Sequence, residues 1–364
     1  MKKIVITGGH LTPALATIEE LAKSKVEIVF FGRKHSTEGS KQISAEFQTI
    51  TAKKIKFRVI IAGRIQRKFT NLTIIALFKI PLGFFHSFVY LLMERPSVVL
   101  SFGGYLSTPV IFAAWLLGIP SVTHEQSASA GFANKINSLF VEKIFVAWES
   151  SVKYLPKEKI EIIGNPVRQS VFAKLASTKK INDFISSKNK LIYITGGNQG
   201  SHFINNLVFK SAKILKDYKI IHQVGTVNFK GDHERAKSIK SKNYLWVDYL
   251  KSEDLGAILK KSSLVISRSG ANIIWEIAAL SKIALLIPLP ISAGGEQQEN
   301  ARILEKAGTA KVLDQKKMNE ATFIPEIKNI FQNYQKYSEN ATKLQKTLPN
   351  DAAKKLALAI LRYT

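Results

Sequence analysis

Lys3-Ile4-Val5-Ile6-Thr7-Gly8-Gly9-His10 is echoed in the middle of the chain by Leu191-Ile192-Tyr193-Ile194-Thr195-Gly196-Gly197-Asn198. Each stretch is a short apolar run that ends in a Gly-Gly pair and leads into helical periodicity, the pattern of a buried parallel strand feeding a loop and a helix. Paired glycines let the backbone turn sharply and approach a ligand. The helix that follows offers unpaired N–H groups and the positive end of its dipole. Two such starts predict two α/β halves facing one cleft, suited to a nucleotide and a second anionic substrate.

Working outward, the first half alternates strands and helices: a strand at residues 3–7, a helix at 13–23, a strand at 27–31, a less regular basic stretch at 53–68, and strands at 97–101, 121–124 and 143–147. The second half repeats this with strands at 190–195, 220–224, 245–247, 264–267 and 283–287 and helices at 203–215 and 273–280. Right-handed crossovers gather the loops at 8–13, 103–108 and 124–131 on one edge of one sheet. The expected division is a first domain at 1–168, a second at 169–345, and a closing helix at 346–364 that packs back on the first, with Asp351 as its N-cap and Leu356, Ala359 and Ile360 on its apolar face.

Composition narrows the functional classes. The chain has 364 residues and no cysteine, which excludes a disulfide framework, a thiolate nucleophile and thiolate-ligated metal. No secretory leader is expected, because Met1-Lys2-Lys3 runs straight into the first strand, and a cytosolic location follows. Lys and Arg number 53 against 27 Asp and Glu, a formal charge of +26. That excess points to a polyanion (nucleic acid, an anionic membrane leaflet or phosphorylated substrates) or to a charged solvated surface. No nucleic-acid reader motif accompanies it, so no specific nucleic-acid partner is expected. Neither Gly-Gly loop completes Gly-x-Gly-x-x-Gly with a following acidic residue, which argues against a dinucleotide-dependent oxidoreductase.

Residues 73–93 are long and apolar enough to raise the question of a membrane span. Lys79, Pro81 and His86 oppose crossing. Two readings remain: a buried crossover helix beside a charged loop, or an apolar face presenting Ile75, Phe78, Phe84 and Phe85, ringed by Lys53, Lys54, Lys56, Arg58, Arg64, Arg67 and Lys68, that docks on anionic lipid.

Several positions can carry chemistry. His10 stands at the carboxyl edge of the first strand, where an imidazole can serve as general base or as a helix cap. His124-Glu125-Gln126 ends another strand, and Glu125 is placed to bind a substrate hydroxyl, to orient a histidine or to cap the next helix. Gly164-Asn165-Pro166-Val167-Arg168 sets a guanidinium at the domain junction, for a diphosphate or for a carboxylate across the hinge. Ser267-Arg268-Ser269-Gly270-Ala271 opens a helix carrying Glu276, whose carboxylate can hold both hydroxyls of a ribose. Gln297 and Gln298 are neutral amides suited to sugar. No two aspartates lie two apart, so no metal and no other cofactor is expected, and leaving-group charge falls to Arg168 and helix N-termini.

Taken in order, Thr7-Gly8-Gly9-His10, Gly103-Gly104-Tyr105, His124-Glu125-Gln126, Gly164-Asn165-Pro166-Val167-Arg168, Gly196-Gly197-Asn198-Gln199-Gly200, Ser267-Arg268-Ser269-Gly270-Ala271 with Glu276, and Gln297-Gln298-Glu299-Asn300-Ala301 resemble the bacterial glycosyltransferases of family 28 from end to end. The resemblance implies a GT-B fold, two Rossmann-like domains with parallel sheets facing a central cleft. It also implies transfer of N-acetylglucosamine (GlcNAc) from UDP-GlcNAc to the C4 hydroxyl of undecaprenyl-pyrophosphoryl-MurNAc-pentapeptide (lipid I), with inversion, to give lipid II for peptidoglycan. A related enzyme using another UDP-sugar or a lipid acceptor such as diacylglycerol is the alternative.

By position, the resemblance places His10 as the base and Arg268, Ser269, Gly270, Ala271, Asn272, Ile273 and Glu276 at uridine and ribose, with Leu250 near uracil. Asn198, Gln297 and Gln298 would hold phosphate and sugar, and Thr7, Gly8, Gly9 and Ser127 would lie near the transferred sugar and diphosphate, with Arg168 near the hinge. Tyr105, His124, Glu125 and Asn300 fall on the acceptor side. It implies peripheral docking on the cytoplasmic face of the membrane through residues 73–93. The chain departs from the family at Val5 and Ile6, where glycines are usual, and at Ser127, Asn198 and Trp275, in the sugar and phosphate pockets.

Overall fold

The computed structural model describes residues 2–35, 42–61, 63, 71–187, 189–211 and 217–364, apart from the side chains of residues 71–78 and Ala293. The expected basic residues Arg64, Arg67 and Lys68, and the side chains of Ile75 and Phe78, lie outside the described residues. By its contacts the chain divides into two units, Met1–Arg168 with Pro349–Thr364, and Gln169–Leu348.

The first unit runs β1 (Lys2–Thr7), α1 (Leu11–Leu21), β2 (Val26–Gly32), α2 (Ala45–Ala52), β3 (Lys56–Val59), α3 (Asn71–Glu94), β4 (Val98–Ser101), α4 (Ser107–Leu116), β5 (Ser121–Glu125), α5 (Phe132–Asn137), β6 (Lys143–Val146) and β7 (Ile160–Ile162). Its strands pair in parallel in the order β3-β2-β1-β4-β5-β6-β7. Ile4 and Ile6 point to one face of the sheet, and Val5 to the other. Both faces are covered, so β1 reads as an unbroken apolar run.

The second unit runs α6 (Lys179–Ile185), β8 (Leu191–Thr195), α7 (His202–Ser211), β9 (Lys219–Gln223), α8 (Asp232–Ser238), β10 (Tyr244–Val247), α9 (Ser252–Lys261), β11 (Leu264–Ser267), α10 (Ala271–Ala279), β12 (Ala284–Leu286), α11 (Glu296–Lys306), β13 (Ala310–Val312), α12 (Glu320–Gln332) and α13 (Tyr334–Thr347). Its sheet is again parallel, in the order β10-β9-β8-β11-β12-β13. The last helix, α14 (Ala352–Leu361), belongs to the first unit, where Leu356 and Ile360 are buried with Ile4, Ile6, Leu15 and Ile18.

In each sheet the strand order reverses beside the first strand, between β1 and β4 and between β8 and β11. The loops leaving those strands diverge to opposite sides and open a crevice at the carboxyl edge. Gly8 makes the first of these possible. Its φ is 144°, and a Cβ there would lie 2.8 Å from the Phe102 nitrogen, so only glycine lets the β1 loop lie against the β4 loop.

The structure corrects several details. Residues 56–59 form a strand inside the stretch expected to be irregular, and β7 and β13 are edge strands of three residues each, too short to show a period. Asp351 stands at the N-cap of α14 without a side-chain cap bond and pairs instead with Lys355 at 3.0 Å. Lys56 and Arg58 do not ring an apolar patch. With Lys3 they converge on Glu94 at the end of α3, at 2.8, 2.6 and 2.9 Å. Among the described residues no helix is long and apolar enough to cross a membrane.

Burial opposes ionisation of Glu94, yet hydrogen bonds from Lys56, Lys3 and Arg58 outweigh it and hold the carboxyl at about 2. A carboxylate whose pKa is depressed on folding stabilises the fold above its unfolded value and loses that contribution as the pH falls toward its folded value. Glu94→Gln is therefore expected to cost about 2 kcal/mol at pH 7, below the range for fully buried pairs because its cations are partly exposed. In urea unfolding the difference from wild type should close between about pH 4.5 and 2. A gap that persists at pH 2 would refute the ionic role.

Candidate active site

At the crevice of the first unit, Gly9 N donates to Gly103 O at 2.9 Å, tying the β1 loop to the β4 loop. His10 follows at the N-cap of α1, half-buried, and its ring makes no cap bond. It forms no hydrogen bond among the described residues, so both ring nitrogens are available to a ligand. Thr7 is fully buried and its Oγ1 has no partner. Tyr105, partly buried, packs on the core beneath α4.

Neighbouring strands shape this crevice from beneath. His124 is buried with its ring 5.8 Å from that of Phe102. Its Nε2 lies 2.9 Å from Gly164 O, a carbonyl that can only accept, so Nε2 carries the proton and Nδ1 holds a lone pair. Burial, opposed by that bond and reinforced by nearby His10, brings His124 down to about 4, and the ring is neutral at physiological pH.

Glu125 resolves among its three expected roles. Oε1 accepts from Ser127 N at 2.9 Å, and Oε2 accepts from Gly131 N at 2.8 Å and Asn134 Nδ2 at 2.9 Å. The carboxylate folds the 126–131 loop onto the start of α5 and sets the place of Ser127. His124 and Glu125, expected against the acceptor, are each almost wholly buried; the Glu125 carboxylate meets this loop, and the His124 ring meets Gly164 O and Phe102. Arg168 keeps a buried Nε without a hydrogen-bond partner.

Asn134 was not singled out in the sequence, yet it holds this crevice together. Its Oδ1 accepts from Thr123 Oγ1 at 2.8 Å while its Nδ2 reaches Glu125, and Asn137 Nδ2 donates to Ser107 Oγ at 2.8 Å. Two asparagines three apart on the inner face of one short helix were the available signal.

At the crevice of the second unit, Arg268 is the central cation. Nη1 donates to Ile287 O at 2.9 Å and Nη2 to Ser201 Oγ at 2.8 Å. Burial lowers Arg268 to about 10, so it stays charged, and its acceptors are all neutral. No carboxylate pairs with it among the described residues. Gly270 caps α10 in extended geometry, and a Cβ there would meet nothing within 4 Å. The first turn of α10, with Ala271, Asn272 and Ile273, carries no acidic residue, and a helix N-terminus presents the positive end of its dipole there. Glu276 lies in the next turn, buried, and Leu250 is buried as well.

The glutamines are already engaged. Gln297 Oε1 accepts from Leu289 N at 2.9 Å, while Gln298 donates to Leu289 O at 3.0 Å and accepts from Ser292 Oγ at 2.9 Å. Both therefore fold the 289–292 loop. Ser269 Oγ donates to Gln297 O at 2.8 Å, and Asn300 Nδ2 to Ser269 O at 3.1 Å. Asn300, expected on the acceptor side, is fully buried inside the second unit and supports the Ser269 loop. Asn198 is exposed at the Gly-Gly loop.

The apolar surface of the first unit differs from expectation. Phe84 packs inward, its ring 6.0 Å from Phe88 and 5.5 Å from Phe112, whereas Phe85 is 61% exposed. An aromatic ladder continues through Phe112, Trp115 and Phe140, with centroids 5.1 to 5.7 Å apart. Trp115, Leu116 and Leu139 stand at least half exposed. The patch extends onto α4, which the sequence analysis did not single out.

A phosphate-friendly crevice in each of two parallel sheets defines a nucleotide-sugar enzyme with two Rossmann-like units. The family model for the glycosyltransferase family 28 N-terminal domain matches residues 6–146, and that for the C-terminal domain matches residues 191–356. The chain belongs to glycosyltransferase family 28. It is 34% identical over 370 residues, covering all of both chains, to the UDP-N-acetylglucosamine--N-acetylmuramyl-(pentapeptide) pyrophosphoryl-undecaprenol N-acetylglucosamine transferase of Clostridium kluyveri. The protein of the same name from Treponema denticola is 35% identical over 84% of this chain and 81% of its own. Among solved structures, MurG of Acinetobacter baumannii matches over the whole of both chains with a TM-score of 0.73 at 24% identity. UDP-GlcNAc 2-epimerase of Neisseria meningitidis, bound to UDP-GlcNAc, shares the fold with a TM-score of 0.68 at 17% identity.

The Glu125 bonds make a direct expectation. In Glu125→Gln the amide NH2 must face a donor it cannot accept from, either Ser127 N–H or the pair from Gly131 and Asn134. Amide exchange at Ser127 or Gly131 should quicken by about tenfold or more. Unchanged protection at both would show that the carboxylate does not hold the loop.

Proposed function

We propose that this glycosyltransferase moves GlcNAc from UDP-GlcNAc to the C4 hydroxyl of the MurNAc residue of lipid I, forming lipid II for peptidoglycan. The observation that carries this reading is the identity to transferases of that name across the full length of the chain, so that donor and acceptor halves are both covered. Diacylglycerol or another lipid acceptor would leave the same nucleotide chemistry and change only the first unit's partner.

In this reading the second unit holds the donor. The first turn of α10 faces phosphate, Glu276 holds the ribose hydroxyls, Leu250 lies near uracil, and Arg268 supplies positive charge that no carboxylate among the described residues neutralises. The first unit presents the acceptor. His10, whose ring makes no hydrogen bond among the described residues, takes the proton from the C4 hydroxyl as its oxygen attacks the anomeric carbon, and the bond to UDP breaks on the opposite side, inverting that carbon. Arg268, Arg168 and the α10 N–H groups stabilise the charge that gathers on the leaving diphosphate.

His10→Ala should lower kcat by about 100-fold or more with little change in UDP affinity, whereas Glu276→Ala should weaken UDP binding by about tenfold or more in calorimetry. Turnover that survives the first change would remove His10 from the chemistry, and equal affinity after the second would remove Glu276 from the ribose.

The exposed ladder supports docking on an anionic leaflet, with Phe85, Trp115, Leu116 and Leu139 entering the interface and the basic surface holding the headgroups. Double replacement Phe85→Ser, Trp115→Ser is expected to release the protein from vesicles of anionic phospholipid while sparing UDP binding. Retained sedimentation with the vesicles would assign the patch another role.

A further inference from the structure

The turn that follows β9 carries none of the motifs above, yet it lies directly against the second Gly-Gly loop. Thr226 N and Thr226 Oγ1 donate to Asn198 O at 2.9 and 3.2 Å, and Val227 N donates to Gln199 O at 3.3 Å. The two backbones touch. Gly200 has φ 90°, and a Cβ on it would sit 2.0 Å from Val224 O, while a Cβ on Gly225, with φ 106°, would sit 2.2 Å from the Gly200 Cα. On the other side of the same loop Gly197 faces open space, where a Cβ would meet nothing within 4 Å.

Beneath this turn runs a chain of polar groups with a buried centre. Asn205 Nδ2 donates to Val224 O at 3.1 Å and to Asp232 Oδ2 at 2.8 Å, and its Oδ1 accepts from His222 Nε2 at 3.0 Å. His222 Nδ1 accepts from the Tyr244 hydroxyl at 2.8 Å, and Asp232 Oδ1 meets His202 Nδ1 at 2.8 Å. His233 Nε2 donates to Gly225 O at 2.8 Å. Asn205, His222 and Asp232 are fully buried. Burial holds His222 down to about 3, so its ring is neutral and its tautomer is fixed by the two bonds. A buried polar chain with its members paired is rigid, and this one ends on the carbonyls of Val224 and Gly225.

We infer that the 224–227 turn is a clamp that sets the shape of the 196–201 loop, and that Thr226 and Asn205 are positioning residues for the diphosphate of the donor. The inference rests on the reading of the second unit as the UDP-sugar site. Carbonyl oxygens facing a diphosphate would repel it. The clamp commits those of Asn198 and Gln199 to hydrogen bonds and turns them from the ligand. On its far side the loop is fixed by Ser201, whose Oγ accepts from Arg268, so the clamp and the cation frame one phosphate position.

The test compares UDP with uridine, because only UDP carries the phosphates that the loop would meet. Thr226 is exposed, so Thr226→Val is expected to fold and melt as wild type. It should weaken UDP by about threefold to tenfold in calorimetry, raise KM for UDP-GlcNAc by a similar factor and leave uridine unchanged. Thr226→Ser should restore both values. Gly225→Ala, which forces the turn off Gly200, should cost UDP about 30-fold or more with uridine again spared. UDP affinity and KM that ignore Thr226, or a loss shared equally by uridine, would overturn the inference. Failure of the wild-type chain to bind UDP at all would overturn the donor-site reading and this inference with it.

Discussion

Parallel pairing is the constraint on which the remainder depends. Strands that all run one way end at one edge, and a first strand flanked by neighbours whose helices cross on opposite sides leaves a crevice at that edge. Both sheets reverse their order beside the first strand. The crevice in one unit is bounded by residues 8–10 and 102–104, and in the other by residues 196–201 and 268–270. The motifs are therefore not scattered: they are the loops that this topology brings to two places, and at Gly8, Gly196 and Gly200 the neighbouring backbone leaves no room for a Cβ.

Within those crevices few polar side chains wait on a substrate. Glu125, Asn134, Asn300, Gln298 and Asn205 are all engaged by backbone groups of the loops. Their work is to hold N–H groups and main-chain turns in place before a ligand arrives, which spares reorganisation at the moment of reaction. Among the described residues, the groups of the first unit that make no hydrogen bond include the ring of His10, Thr7 Oγ1 and Nδ1 of His124. Those three lie at the ends of β1 and β5, on the carboxyl edge of the first sheet, the acceptor side in the proposed reaction.

The strands were legible because a sheet covered on both faces demands unbroken apolar runs, and the Gly-Gly loops because positive φ and close approach leave few alternatives. Edge strands were not. Residues 160–162 and 310–312 are too short to carry a period, and β3 hides its strand character beneath Lys56 and Arg58, whose charges are explained only by Glu94, distant in sequence. Site residues followed the same division. Those at strand ends were readable from position, but the role of Glu125 turned on where Ser127 N, Gly131 N and Asn134 lie in space, and no spacing rule contains that. Trp115 carried no signal of its own, because α4 is largely apolar and only the packing of α3 and α5 beside it shows which face is left bare.

Charge closes the argument. An excess of +26 is usually read as a surface property, yet two cationic groups here are partly buried and opposite in kind. Lys3, Lys56 and Arg58 surround a carboxylate that the fold itself provides, so their attraction is satisfied within the first unit and serves stability. Arg268, partly buried, donates to two backbone carbonyls and a serine hydroxyl. Neutral acceptors orient a guanidinium without cancelling its charge, and in surroundings of low dielectric that charge acts strongly on whatever anion occupies the crevice. A fold that buries a carboxylate beside three cations in one unit leaves Arg268, among the described residues, without one in the other, and in the proposed reaction the donor's diphosphate would take that place.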